Sequence, residues 1–191
     1  AHRRAAVHDM TEREGVEFVH DTARFVDDRT VAVGDREMEA DYVVIATGSS
    51  LNVPDIPGIE SVDHMSSADV LDARNLPDSG IVIGFGYVGV ELAPYIAEAG
   101  GTDLTVVEHD ARPLDEADPA FGDELLEIYR EEFDIEVLTE THETRLEPTD
   151  DGGVRLHTDR EDDAATVEAE ELFLFSGRRP NLDGFGLDDT T

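Results

Sequence analysis

The sequence predicts an α/β fold in which a parallel sheet carries helices on one face and an antiparallel β-meander on the other. Three observations carry that expectation. Short, continuously apolar runs recur near 80–84, 104–108, 135–138 and 172–175, as expected of parallel strands buried on both faces. The first run, Ile81-Val82-Ile83, breaks off directly into Gly84-x-Gly86-x-x-Gly89. Between the third and fourth runs the pattern changes to hairpin-like alternation around the turn Asp150-Asp-Gly-Gly153.

Residues 1 to 14 mix Arg, Glu and Asp with sparse apolar positions and read as the tail of a helix that begins upstream; the absence of an initiator Met fits an internal fragment. Val16 to His20, Ala23 to Val26 and Thr30 to Val33 follow as short strands separated by turn-prone Asp and Gly, which predicts antiparallel hairpins. Asp41 to Gly48 is expected to be a further buried strand, ending in the small-residue turn that holds Thr47 and Gly48. Pro54, Pro57 and Gly58 then punctuate a connector toward Ser66 and Pro77.

The run at 80–84 opens a Rossmann-like, dinucleotide-binding unit. Gly84 permits the tight turn out of the strand, Gly86 lets a pyrophosphate approach the backbone, and Gly89 lets the next helix lie close on the sheet. The helix starts around Tyr87 and Val88, so its free N–H groups and positive dipole end face the phosphates. Phe85 is bulky for a position between the glycines. Pro94 lies inside the helix, where it removes a hydrogen bond to the carbonyl of Val90 and predicts a kink near the second turn; the phosphate-binding first turn is spared. Glu108 ends the next strand nineteen residues after Gly89, where its carboxylate can accept hydrogen bonds from an adenosine ribose. This spacing points to NAD(H) as the ligand, while Arg112, four residues on, could fold back to welcome the extra phosphate of NADP. A glycine-rich turn alone occurs in many α/β proteins; strand, glycines, helix and strand-end acid in this order give the assignment its weight.

Asp118 reads as an N-cap with Pro119 at the first helical position, opening an amphipathic helix whose apolar side comprises Phe121, Leu125, Ile128, Tyr129 and Phe133. Ile135 to Leu138 is the next parallel strand. Glu143 to Glu147, Val154 to Thr158 and Thr166 to Ala169 are the hairpin strands, and the acidic run Glu161 to Asp163 is expected to be a solvated loop. Leu172 to Phe175 returns to the parallel sheet, and Ser176 to Asn181 is its exit loop.

Charge narrows the functional classes. The 191 residues hold 47 acidic against 14 basic side chains, every basic one an Arg, for a net charge of -33. Regular strand-like runs and 39% hydrophobic content argue for a folded chain rather than a disordered acidic one. Such a surface repels itself at low ionic strength and is screened over about 3 Å at about 1 M salt, which resembles the adaptation of salt-accumulating halophiles. It argues against nucleic acid or anionic membranes as partners. No run reaches membrane-spanning length and no signal-peptide pattern precedes it, so a cytoplasmic location is expected. With no cysteine there is no thiol catalyst here, and the seven histidines are not spaced as metal ligands, so no metal site is expected.

Three separated motifs, Ala46-Thr-Gly-Ser49, the Gly84 fingerprint extended by Tyr87 and Glu91, and Gly177-Arg-Arg-Pro-Asn181, together resemble the flavin-dependent pyridine nucleotide–disulfide oxidoreductases. That is the family of dihydrolipoamide dehydrogenase and of glutathione, mycothione and mercuric reductases. The resemblance implies a partial FAD-binding segment at 1–72, an NAD-binding domain at 73–178 and a return segment toward the FAD domain at 179–191. It implies hydride passing between NAD(H) and FAD, with FAD held only by the full-length parent and no catalytic residue in this fragment. It further implies a parental homodimer formed through a C-terminal domain beyond these residues. Tyr87 matches a tyrosine that covers the flavin and swings away when nicotinamide arrives, and Glu91 a glutamate that pairs with a lysine near the flavin. Thr47, Gly48 and Gly177 count as cofactor-binding through the same resemblance. Taken alone, Tyr87 reads as a partly exposed aromatic at a helix start and Glu91 as a helix-dipole carboxylate. Phe175 and Ser176 depart from the Ala and Thr usual in the family. Two other functions stay open: a non-catalytic redox-sensing nucleotide module, and a flavoprotein of the NADH oxidase or ferredoxin reductase type. A C-x4-C pair upstream of Ala1 would separate a disulfide reductase from both.

Overall fold

The computed structural model describes residues 9–11, 13–160 and 163–190. By its contacts the chain divides into two compact units, one comprising Ala1–Ser49 with Pro180–Thr191 and the other Ser50–Arg179. The sequence-based boundary at 72/73 thus falls inside the second unit, because residues 50–72 contribute Ile56 and Val70 to that unit's buried clusters.

The first unit is built on an antiparallel meander of β1 (Ala23–Phe25), β2 (Thr30–Val33) and β3 (Arg36–Glu39). Asp27 makes the first turn, its carboxylate accepting from the N–H groups of Arg29 and Thr30 at 2.9 and 2.8 Å. Strand β3 escaped the sequence reading because Arg-Glu-Met-Glu is exposed throughout and shows no apolar alternation. Two expected strands are absent. Residues 16–20 form no ladder, and neither do 41–48, with Tyr42 93% and Val44 86% exposed. An apolar run becomes a buried strand only when a neighbouring strand takes its backbone groups, and among the described residues none lies beside 41–48. The expected helix tail over 1–14 falls largely outside the described residues; residues 9–11 are helical. Pro180–Thr191 belongs to this unit, and Phe25 donates its N–H to the carbonyl of Phe185 at 2.7 Å. The short strand β4 (Ser49–Leu51) pairs with β12 (Arg178–Pro180) in a two-stranded ladder.

The second unit is organised by β5 (Ser79–Ile83), β6 (Asp103–Val107), β7 (Glu136–Leu138) and β11 (Glu171–Leu174), all parallel in the order β11-β5-β6-β7. Alternate residues of these strands enter two separate cores. Val82, Leu104, Val106, Val137 and Phe173 pack with α1 (Ser67–Asp72), α2 (Tyr87–Gly100) and α3 (Pro119–Glu131) through Val70, Ala93, Ile96, Leu126 and Tyr129. Ile81, Ile83, Val107, Leu172 and Leu174 pack on the opposite face against Leu146, Val154 and Leu156. These come from β8 (His142–Pro148) and β9 (Val154–Arg160), which with β10 (Asp163–Ala169) form the meander in the order β10-β9-β8. Helices therefore cover one face and antiparallel strands the other, as the sequence predicts. Asp163 pairs with Arg160 as the first residue of β10 rather than lying in a loop; positions 161–162 of that expected loop lie outside the described residues.

Helix α3 begins as its sequence dictates, with the Asp118 carboxylate accepting from Ala120 N–H at 3.0 Å and Pro119 in the first turn. Its buried side is led by Leu126 and Tyr129, whereas Phe121 is 65% exposed, because the first turn meets the 112–113 segment through Gly122 instead. Helix α2 runs on through Pro94. The carbonyl of Val90 that this proline leaves without its helical donor accepts a hydrogen bond from the Tyr129 hydroxyl of α3.

Candidate functional site

A cleft of about 500 Å³ opens where β5, β6 and β11 end, within the second unit. The sheet order places it at the crevice between strands whose connections run to opposite sides of β5, where open α/β sheets bind ligands. Its floor is the turn from β5 into α2. Gly84 has φ +97°, and a Cβ there would stand 2.8 Å from the carbonyl oxygen of Phe175. Gly89 is buried, and a Cβ on it would meet the Gly84 carbonyl oxygen at 2.4 Å, so the first turn of α2 seats directly on the loop. At Gly86, exposed at the N-cap of α2, a Cβ would meet nothing within 4 Å. The space above it is open to a ligand.

Phe85 does not obstruct this cradle. Its ring is fully buried and meets Tyr129 edge to face, with centroids 5.0 Å apart, so only its backbone belongs to the cleft wall. Its N–H donates to Glu108 Oε2 at 2.6 Å, and Asp110 N–H donates to Oε1 at 3.1 Å. Two backbone donors fix the half-buried carboxylate at the end of β6, and each oxygen retains a lone pair for a further donor. Glu108 is therefore oriented before any ligand arrives. Arg112 is engaged elsewhere: its Nε donates to Asp123 Oδ1 at 2.8 Å, and the guanidinium pKa is raised by that carboxylate.

Tyr87 and Val88 also line the cleft, Tyr87 being 69% exposed. Glu91, one turn further along α2, is exposed and outside the lining. Gly177 lines the side next to β11, after Phe175 and Ser176. Thr47 and Gly48 lie in the other compact unit and are not part of this cleft. Their loop is tied to the return segment, Thr47 Oγ1 donating to the Asn181 carbonyl at 2.6 Å and Asn181 N–H to that of Gly48 at 3.0 Å.

Sequence reasoning missed three side chains of the cleft. Asn52 clamps the exit of β11, its N–H donating to Gly177 O at 3.0 Å and its Nδ2 to Ser176 O at 3.1 Å, while Ser176 Oγ donates to Asn52 O at 2.7 Å. Asn52 Oδ1 is buried without a partner among the described atoms, a free acceptor at that end. Opposite, His109 bonds through Nε2 to Oε2 of Glu143, whose side chain is only 4% exposed. Glu143 reaches the cleft from β8, where a bulge between Glu143 and Arg145 shifts the ladder register. No sequence signal announces that bulge. Among the described residues no group of side chains could hold a metal ion.

The arrangement offers open backbone at a helix N-terminus for a diphosphate and a prepositioned carboxylate for vicinal hydroxyls. Residues 1–190 match the protein family described as pyridine nucleotide-disulphide oxidoreductase. The chain is 33% identical over 96% of its length to dihydrolipoyl dehydrogenase 2 of Haloarcula marismortui, covering 40% of that protein. It is 31% identical over 87% of its length to a mercuric reductase of Bacillus cereus, covering 26% of it. Its fold matches the HOCl-induced flavoprotein disulfide reductase RclA of Escherichia coli with a TM-score of 0.80 at 24% identity, over 98% of this chain and 42% of that one. The chain thus spans well under half the length of these relatives.

Proposed function

Because the chain belongs to the pyridine nucleotide-disulphide oxidoreductases, we propose that it is the nicotinamide-nucleotide-binding portion of a flavin-dependent disulfide reductase of the dihydrolipoamide dehydrogenase type. In this reading it binds NAD(H) so that hydride passes to or from an FAD held by the whole protein, which pairs as a homodimer in the cytoplasm. The observation that carries it is the joint geometry of Gly86 and Glu108: a helix N-terminus that nothing covers, beside a carboxylate already aimed by two backbone N–H groups. The cradle fits a dinucleotide, since a side chain at position 86 would occupy the space a pyrophosphate needs.

Each residue then has a task. The N–H groups of the first turn of α2 bind the pyrophosphate, Glu108 accepts both adenosine ribose hydroxyls, and the Asn52, Ser176 and Gly177 cluster supports the nicotinamide end. NAD(H), when bound, would supply the nicotinamide that gives or takes the hydride. NAD is favoured over NADP because a 2′-phosphate about 5 Å from Glu108 meets repulsion of roughly 3 kcal/mol per unit charge at an effective dielectric of about 20. Arg112 adds support, being held by Asp123 rather than available to such a phosphate.

Fluorescence titration with NADH and NADPH is the test. The wild type should bind NADH more tightly by at least about tenfold. Glu108→Gln should weaken NADH by about tenfold and narrow the preference, as expected for loss of a charged hydrogen-bond acceptor. Equal affinity for the two nucleotides, or an unchanged ratio in the variant, would remove Glu108 as the selector.

A further inference from the structure

We propose that His109 is a second selector at the ribose end of the cleft and makes the preference for NADH over NADPH depend on pH. This rests on the NAD-binding reading above. His109 follows Glu108 directly, and both line the cleft together with Glu143. The His109 side chain is 55% exposed, whereas the carboxylate beneath it is 4% exposed. With Glu143 ionised its carboxylate only accepts, which puts the proton on the Nε2 bonded to it and leaves the second ring nitrogen, Nδ1, for the ligand.

The consequence is a group that changes chemical character without moving. When the ring is neutral, Nδ1 is an acceptor and suits a ribose hydroxyl. The pair with Glu143 then carries a full negative charge beside Glu108, and a 2′-phosphate meets two carboxylates. When the ring is protonated, Nδ1–H becomes a donor, the charge of Glu143 is neutralised and the same position accepts a phosphate monoester. Around the ring stand Glu143 and His142 of β8, the His142 ring centroid 4.7 Å away, with Glu108 and Asp110 on its own segment. The Asp110 carbonyl also accepts from Glu140 N–H at 3.0 Å. Glu143 makes the direct contact, so it holds the ring in place and shares its charge.

Dissociation constants for NADH and NADPH measured from about pH 8 to about pH 5.5, either side of the ordinary His range, decide the matter. In the wild type the NADPH-to-NADH ratio should fall by about tenfold on acidification, the effect of one unit charge at about 5 Å with half its strength screened. His109→Gln keeps a similar polar reach but cannot gain a charge, so only the smaller drift from the 2′-phosphate's own titration should persist. Glu143→Gln removes a negative charge beside the ring, so its ratio at about pH 8 should already lie below that of the wild type, with thermal midpoints reporting that each variant is folded. A flat ratio in a wild type that binds NADH overturns this inference alone, as does a full shift retained in His109→Gln. Failure of both nucleotides to bind at any pH overturns the NAD site itself, and this inference with it.

Discussion

Tyr129 closes a gap that Pro94 opens. Its hydroxyl donates to the Val90 carbonyl inside the helix core, its ring packs edge to face on Phe85, and burial pushes its pKa up to about 12. Tyr129→Phe keeps the ring and strands the carbonyl, which should cost about 1–3 kcal/mol in denaturant unfolding. The folded pKa is raised above the unfolded value of about 10, so this contribution is complete below about pH 10 and fades as pH rises toward about 12. The wild type should accordingly lose stability across that window and the variant should not; parallel decline of both would sever the hydroxyl from the effect. Neither the bond nor its purpose was legible in the sequence. Pro94 announced a missing donor, but the replacement comes 35 residues later on another helix.

At the scale of elements, the start of α2 sets two glycines one turn apart to opposite tasks. Gly86 faces open space and Gly89 is pressed on the Gly84 carbonyl. Gly86→Ala should leave thermal and denaturant midpoints almost unchanged and weaken NADH binding by about tenfold or more, since the methyl group enters the phosphate cradle. Gly89→Ala should instead destabilise the fold by about 1–3 kcal/mol, the usual result of forcing extra volume into a packed contact. Similar losses of affinity and stability in both would contradict this division. The distinction was readable in advance because the fingerprint is local: strand, turn and helix are contiguous, and each glycine's task follows from its offset. The four parallel strands were readable for the same reason, their apolar runs being too continuous for a half-exposed sheet. His109 with Glu143 was not readable, because a bulge in β8 and the register of two sheets bring them together. The run at 41–48 was misread because composition reports a residue's preference for a strand and not the presence of a neighbour.

For the whole molecule, charge dominates. Several arginines are already engaged in ion pairs, Arg155 with Glu168 and Glu147, Arg112 with Asp123 and Arg36 with Glu17, and the excess of acids remains. Repulsion among them acts over about 10 Å at about 0.1 M salt and about 3 Å at about 1 M. Thermal midpoints measured in about 0.1 M and about 2 M KCl should therefore differ by about 10 °C or more, several increments of about 1 kcal/mol each; equal midpoints would detach the composition from any dependence on salt. Screening also acts between molecules. Tyr42-Val43-Val44-Ile45 is uncharged, strong in β propensity and open along its length, which makes it a template for cross-β stacking once copies can approach. Salt that steadies each molecule should hasten fibril growth through this segment, with thioflavin fluorescence rising at high ionic strength and suppressed by Val44→Asp. The acidic coat would then serve as a colloidal barrier against amyloid as well as a burden on folding, and the conditions for handling the isolated chain lie between the two.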